Sequence, residues 1–354
     1  MGIFDNMLHN NESLFKDEYS LDYSFIPKII PYRKKEQEAI ANCIRPLLAG
    51  HNGRNALIHG APGIGKTAAC KHLLRELDEH DEYADKLLLL YVNCWQKNTS
   101  FKVAVDVCEQ AGYMFTQNKK TDELFSIFAN IANKKQVIFI IDEVDKAEET
   151  DFLYTLSEDI FKKSILLITN YKSWLLELDD RIKSRITPTL IAFNEYDETE
   201  TTGILRQRMN YAFIDNVWEE HAFVSIAQKT AQLKDIRSGL FLLKETGIIA
   251  EEHASRKITA DHARQAITKL NEFTIKSKEA LEEETQKILD IIKKNAGQKI
   301  GELYKRYQTA GGHVSYKTFQ RKLAKLDEDK FITLEKSKGY GGNTTIVDRK
   351  LGEF

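Results

Sequence analysis

Between Arg54 and Phe193 the hydrophobic positions come in short consecutive runs: "NALIHG", "KLLLLYVNC", "QVIFIIDE", "SILLITN" and "TLIAF". Each run is about one strand long. Apolar residues on consecutive rather than alternate positions predict strands covered on both faces. Amphipathic stretches such as "KTAACKHLLREL" separate the runs. Strand–helix alternation of this kind predicts an α/β layer built on a parallel sheet.

After Phe193 the pattern changes period. "DETETTGILRQRMNYAF", "EEHAFVSIAQKTAQL" and "DIRSGLFLLKETGIIAEE" space their apolar residues by three and four, as in the stripe Ile236, Leu240 and Leu243. They predict a second, all-helical domain. "EALEEETQKILDIIKKN" then places Leu281, Ile288, Leu289 and Ile292 on one helical face, and "KIGELYKRYQTAGG" does so with Ile300, Leu303, Tyr304 and Tyr307. Ser315 suits the N-cap of a third helix, "YKTFQRKLAKLDEDK". Two strand patterns, "FITLEK" and "NTTIVD", flank the glycine-rich turn "SKGYGG". Three helices and a hairpin are the layout of a winged helix. The expected domains are 1–193, 194–276 and 277–354.

Composition changes this picture at one end only. The 354 residues carry a formal net charge of -2, so no overall field marks a nucleic-acid binder. From Lys299 to Phe354, however, 12 Lys/Arg face 7 Asp/Glu, a net of +5. A basic end on an acidic body fits a nucleic-acid-binding appendage, and equally an ordinary solvated face. Cys43, Cys70, Cys94 and Cys108 stand far apart with no CxxC pair. That spacing argues against a zinc site and for free thiols in a reducing compartment. The N-terminus has neither a basic n-region nor a long apolar core, and Asn6 replaces the Ser or Thr of a myristoylation signal. No run approaches ~18 apolar residues. A soluble intracellular protein is expected.

The chemistry begins at "HGAPGIGKTAAC", which contains Gly60-x-x-x-x-Gly65-Lys66-Thr67 between a predicted strand and a predicted helix. Glycines in such a loop let backbone N–H groups surround phosphates, Lys66 neutralises the outer phosphates and Thr67 is placed to ligate magnesium. "VIFIIDEVDK" delivers Asp142 and Glu143 at a strand end. There Asp142 suits a second magnesium contact, and Glu143 can orient or deprotonate an attacking water. Asn170 ends the next apolar run. It can hold that water or the γ-phosphate if its strand neighbours that of Asp142, or simply make a turn. "LDDRIKSRI" carries Arg181, Lys183 and Arg185, which suit either an arginine acting in trans on a neighbour's nucleotide or a basic surface segment. Arg237 follows Asp235, a suitable N-cap, at the start of a lid-domain helix.

Taken in this order, the motifs resemble those of the AAA+ ATPases. Within them the chain is most similar to the archaeal replication-initiator branch, related to the eukaryotic origin recognition complex and the helicase-loading cell-division-cycle proteins. The resemblance covers nearly the whole chain. It implies an α/β AAA+ P-loop parallel-sheet domain with a helical lid, followed by a C-terminal winged-helix domain. It implies an ATPase that binds ATP or ADP through Gly60, Ala61, Pro62, Gly63, Ile64, Gly65, Lys66, Thr67 and Ala68. It also implies Mg2+ held by Thr67 and Asp142. "SLFKDEYSLDYSFIPKIIPYRKKEQEAI" resembles an adenine-site arm with Pro27, Tyr32 and Arg33, and Tyr196 is assigned to the same nucleotide site. Glu143 would be the catalytic acid, Asn170 the first sensor and Arg237 the second. Arg185 would be the arginine finger, with Arg181 as the other choice.

The chain departs from the family pattern at Asp180, where relatives carry Pro, and at Lys234, where they carry Gly. "GYMFTQNKKTDELF" stands where the branch has an extra DNA-contacting element but lacks its Pro- and Gly-bearing pattern, leaving Lys119 and Lys120 as weak candidates. In the C-terminal part, Phe319, Leu323 and Leu326 form a buried stripe that turns Lys317, Gln320, Arg321 and Lys325 outward. The hairpin tip offers Lys336, Lys338, Tyr340 and Gly341. The expected function is an ATP-switched replication initiator with slow hydrolysis. Its partners would be double-stranded origin DNA, the replicative helicase and another copy or paralogue, with no membrane. Its place would be cytoplasmic, at the nucleoid. The alternatives are a clamp-loader-like or transposition-helper ATPase, or a nucleotide-bound DNA-binding regulator.

Overall fold

The computed structural model describes residues 13–83, 85–279, 283–295, 297–328, 331–339 and 342–349. The chain divides into two compact units, one ending at His262 and the other beginning at Ala263.

The first unit is built on five parallel strands: β1 (Ala56–His59), β2 (Leu87–Asn93), β3 (Gln136–Asp142), β4 (Lys163–Thr169) and β5 (Thr189–Ala192). Each lies within one of the five apolar runs, except that β4 begins one residue before its run, at Lys163. Their order across the sheet is β2-β3-β4-β1-β5. Helices α1 (Lys34–Leu48), α2 (Lys66–Asp78), α3 (Ser100–Gln110), α4 (Thr121–Ala132), α5 (Asp151–Asp159), α6 (Trp174–Glu177) and α7 (Asp180–Ile186) lie between and around the strands. The central strands β3 and β4 are buried along nearly their whole length. One face of the sheet packs Phe139, Ile141, Ile165 and Leu167 against α3, α4 and α5. The other packs Ile138, Ile140, Leu166 and Ile168 against α1 and α2. Burial on both faces is why these strands read as unbroken apolar runs.

Three helices follow in the same unit: α8 (Glu198–Ala212), α9 (Glu220–Leu233) and α10 (Ile236–Glu252). Asp197 and Glu200 close a reciprocal capping box at the start of α8, and Asp235 caps α10 by accepting from the Arg237 N–H. A further helix, α11 (Ala260–Glu279), begins at the end of the first unit and runs into the second.

The N-terminal arm is held by its carbonyls. Arg208 of α8 donates to the carbonyls of Ser20 and Phe25. Arg75 and His72 of α2 hold those of Ile26, Pro27 and Lys28. The arm thereby connects the helix that starts at the glycine-rich loop with the first lid-side helix.

The second unit contains α12 (Glu283–Lys294), β6 (Gln298–Lys299), α13 (Ile300–Thr309), α14 (Tyr316–Glu328), β7 (Ile332–Gly339) and β8 (Gly342–Arg349). Its helices and hairpin follow the order read from the sequence. The two-residue strand β6 completes a three-stranded antiparallel sheet that the apolar pattern had not indicated. Ile288, Leu289, Ile292, Leu303, Tyr307, Phe319, Leu323, Leu326 and Val347 form its core. Leu281 lies outside the described residues. No helix among the described residues is long and apolar enough to cross a membrane.

The two departures from the family pattern have local physical readings. Asp180 is the first residue of α7, capped by Asp179. Pro is favoured there because that N–H has no helical partner, and an acidic residue suits the same position through the helix dipole. Lys234 terminates α9 with φ +53°, left-handed backbone that favours glycine, and pairs with Glu195 at 2.7 Å. Relief of about 1 kcal/mol or more of backbone strain is opposed by the glycine's greater unfolded-state entropy and by loss of a half-exposed ion pair. Lys234→Gly is therefore expected to stabilise the protein slightly, raising the unfolding midpoint by roughly 1–2 °C. A scan showing a lower midpoint would mean that the ion pair outweighs the strain.

Candidate functional site: a nucleotide cleft at the carboxyl edge of the sheet

The strand order brings the scattered motifs together. β4 lies between β3 and β1, so the loop after β1, Asp142 at the end of β3 and Asn170 after β4 emerge side by side. They face a cleft of about 400 Å³ within the first unit. Its floor is formed by Pro62, Gly63, Gly65, Lys66, Thr67 and Ala68, and its far wall includes Tyr196, Ile204, Ile236, Arg237 and Leu240. The arm contributes Tyr23, Pro27, Ile30 and Pro31.

The loop conformation depends on its glycines at two positions. Gly65 sits at φ +88°, and a Cβ there would lie 2.9 Å from the Tyr196 hydroxyl. Gly63 sits at φ +78°, where a Cβ would come within 2.1 Å of the Asp235 carboxylate. Any side chain at either position would be strained by its backbone and would push away the groups that close over the loop.

Lys66 is 6% exposed. Its Nζ donates to the carbonyls of Gly60 (2.6 Å) and Ala61 (2.8 Å) and to Asn170 Oδ1 (2.9 Å). Burial lowers its pKa to about 8, partly offset by the nearby Asp142 carboxylate. An anionic phosphate chain supplies the charge that restores it. Asp142 is 3% exposed and accepts three hydrogen bonds. Thr67 Oγ1 and the Tyr91 hydroxyl each donate to Oδ2 at 2.8 Å, and the Glu143 N–H donates to Oδ1 at 2.9 Å. Glu143 takes left-handed backbone, φ +51°, and also lines the cleft.

The expected nucleotide-site residues each have a definite place. Ile64 is buried beneath the loop, and its carbonyl accepts from Arg33. Gly60 and Ala61 contribute the carbonyls on Lys66 rather than cleft surface. Arg33 is 3% exposed, ion-paired to Glu36, bonded to the Asn194 carbonyl and stacked 3.8 Å from the Tyr196 ring. It braces the loop and Tyr196 from behind, outside the cleft lining. Tyr32 also stands outside that lining, its hydroxyl against Gly203 of α8. Arg237 lines the cleft, with its Nε 3.2 Å from Asp235 Oδ1. Arg181 and Arg185 lie on α7, away from this cleft. Arg181 pairs with Asp179, and Arg185 with Glu158 at 3.1 Å.

Several cleft residues have no signal in the motifs: Tyr23, Tyr91, Asn93, Gln207 and Arg208. Tyr91 and Asn93 could have been found from their two-residue spacing at the end of β2, which puts both on the sheet face that carries Asp142. Arg208, whose pKa burial lowers to about 10, owes its place to the arm's carbonyls.

On α14, Lys317, Gln320, Arg321 and Lys325 are exposed, while Phe319, Leu323 and Leu326 are buried. Lys336 and Lys338 belong to β7. Tyr340 and Gly341 lie outside the described residues. Lys119, on the loop before α4, is ion-paired with Glu123 in the first turn of that helix.

Two family models match the chain: an AAA domain at residues 50–171 and a Cdc6 AAA+ ATPase-type lid domain at residues 202–268. The cleft described above is lined from both matched segments, with the loop, Asp142 and Asn170 in the first and Arg237 in the second. The ORC1-type DNA replication protein 2 of Methanosarcina acetivorans is 27% identical, over 96% of this chain and 94% of its own. The ORC1-type DNA replication protein 1 of Methanothermobacter thermautotrophicus is 28% identical, over 98% and 96%. The chain thus carries an AAA domain followed by a Cdc6-type AAA+ lid, and is similar to archaeal ORC1-type replication proteins along nearly its whole length.

Among solved structures, the Aeropyrum pernix ORC1 protein in complex with DNA shares the fold with a TM-score of 0.72 at 24% identity, covering 96% of this chain and 94% of its own. The Aeropyrum pernix ORC2 protein in its ADPNP and ADP complexes gives 0.70 at 21% identity, covering 97% and 95%. The chain is an AAA+ ATPase and binds nucleotide.

Proposed function

We propose that this chain is an ATP-switched DNA replication initiator that binds origin DNA through its C-terminal unit, a winged helix, and through its AAA+ body. The observation that carries the reading is the coincidence, in one chain, of a complete ATPase cleft with a C-terminal unit of three helices and an antiparallel hairpin. The exposed Lys317, Gln320, Arg321 and Lys325 on α14 suit the major groove and its flanking phosphates. Lys336 and Lys338 of β7, with Tyr340 and Gly341 next in the sequence, suit backbone or minor-groove contact. The domains are taken as a base at 1–193, a lid at 194–276 and a winged helix at 277–354.

In the cleft, the loop amides and Lys66 take the phosphate chain. The apolar wall of Pro27, Ile30, Pro31, Ile204 and Leu240 takes the base. Thr67 and Asp142 fit Mg2+, because a hydroxyl and one carboxylate beside a phosphate site are the sparse oxygen set that this cation accepts. The bound ion supplies charge neutralisation for the transferring phosphoryl group. Glu143 takes a proton from the attacking water, Asn170 orients the γ-phosphate, and Arg237 reads it from the lid. Arg185, or Arg181, acts on the nucleotide of an adjoining copy or paralogue. Hydrolysis is slow and resets the switch. The replicative helicase is the partner recruited, and the protein works in the cytoplasm at the nucleoid. Relatives named for DNA replication and a fold neighbour solved with DNA support this reading.

A clamp-loader-like body closed by a helical collar is disfavoured by the antiparallel sheet of the second unit. A nucleotide-bound regulator without turnover is disfavoured by the joint placement of Glu143 and Asn170 at the cleft. Footprinting of the full chain on its own chromosomal DNA, with ATP and with ADP, tests the proposal.

A further inference from the structure

Tyr91 is tied down on three sides. It lies on β2, the edge strand of the sheet, where the backbone has no strand partner on one side. Gln110 of α3 takes that place, accepting from the Tyr91 N–H through Oε1 (3.0 Å) and donating to the Tyr91 carbonyl through Nε2 (2.9 Å). Gln110 is itself oriented by Asp106 Oδ2 at 2.8 Å. Over the ring, Lys71 Nζ stands 3.8 Å from the centroid. Lys71 is one helical turn beyond Thr67 in α2, so one face of that helix carries both groups. The Tyr91 hydroxyl then donates to Asp142 Oδ2 at 2.8 Å, the same oxygen that accepts from Thr67.

We propose that Tyr91 is a positioning residue for the Asp142 carboxylate and sets how well this site takes a divalent cation with its nucleotide. The inference rests on the reading of Asp142 as a magnesium ligand. A ligating carboxylate works best when another donor fixes its orientation. Thr67 is a ligand candidate itself, so its hydroxyl proton is not a constant partner for Asp142. Tyr91 is, because its ring and backbone are both immobilised. The cation over the ring strengthens the hydroxyl as a donor.

The test uses the full chain with Tyr91→Phe, which removes one oxygen and keeps the ring under Lys71. Binding of a fluorescent ATP analogue is measured against Mg2+ concentration and again in excess chelator, with Asp142→Asn as the reference variant. The Mg2+ midpoint should rise roughly tenfold in Tyr91→Phe, while affinity in chelator stays within about twofold of the parent. An unchanged midpoint in Tyr91→Phe beside a shifted one in Asp142→Asn overturns the role of Tyr91 alone. An equal loss of affinity with and without Mg2+ also overturns it, since that is what a merely structural tyrosine would give. A midpoint that moves in neither variant overturns the magnesium reading of Asp142 on which the inference stands.

Discussion

Glu143→Gln is expected to bind ATP as the parent does and to lose turnover by roughly 10²–10⁴-fold, the usual contribution of a positioned proton acceptor. The amide keeps the size and hydrogen-bonding reach of the carboxylate but cannot take a proton. Asp142 and Glu143 are neighbours in sequence yet do different work because their backbones differ. Asp142 ends a regular strand and spends its oxygens on Thr67, Tyr91 and the next N–H. Glu143 then turns into left-handed backbone, φ +51°, at the cleft wall. Single-turnover hydrolysis with a parallel binding titration checks the point. An unchanged hydrolysis rate would remove Glu143 from the chemistry, and lost binding would make it a ligand instead.

Lys66→Ala is expected to weaken nucleotide binding roughly a hundredfold, on the order of 3 kcal/mol for a buried charge-assisted contact to phosphate. The same lysine predicts a pH effect. Its pKa in the protein is lowered to about 8 by burial, and its protonated form is the one that attracts an anion. A bound phosphate chain raises that pKa again, so binding above pH 8 must take up a proton. Affinity should therefore be level below pH 7, apart from titration of the nucleotide itself, and fall by up to about tenfold per unit above pH 8. Calorimetry at pH 9 in buffers of different ionisation enthalpy should report uptake of nearly one proton. Uptake near zero would show that Lys66 is already charged, and an affinity unaffected by Lys66→Ala would move the phosphates elsewhere.

What could be read from the sequence follows from which interactions have a period. The five strands were visible because burial on both faces makes residues such as Val137 to Ile141 uniformly apolar. Even β5, exposed at Thr189, Leu190 and Ala192, kept an apolar composition. The loop and Asp142 were visible because phosphate and metal chemistry fixes local spacing. Sheet order has no such trace. That Asn170 would meet Lys66, or Tyr91 meet Asp142, depends on β4 lying between β3 and β1 and on β2 lying at the edge. The arm was named through the family resemblance, but its anchoring was hidden for another reason. It is held through the carbonyls of Ser20, Phe25, Ile26, Pro27 and Lys28, and every residue has a carbonyl. Tyr32 and Arg33 are prominent in sequence yet brace the cleft rather than line it.

The central claim is that the ATPase cleft serves a site-specific DNA switch. The most direct measurement is footprinting of the purified full chain across its own chromosomal DNA, in ATP and in ADP at fixed salt. The account predicts protection of a few discrete sites, with the extent or pattern of protection differing between the two nucleotides. Uniform binding with no preferred site, or identical footprints in ATP and ADP, would contradict it.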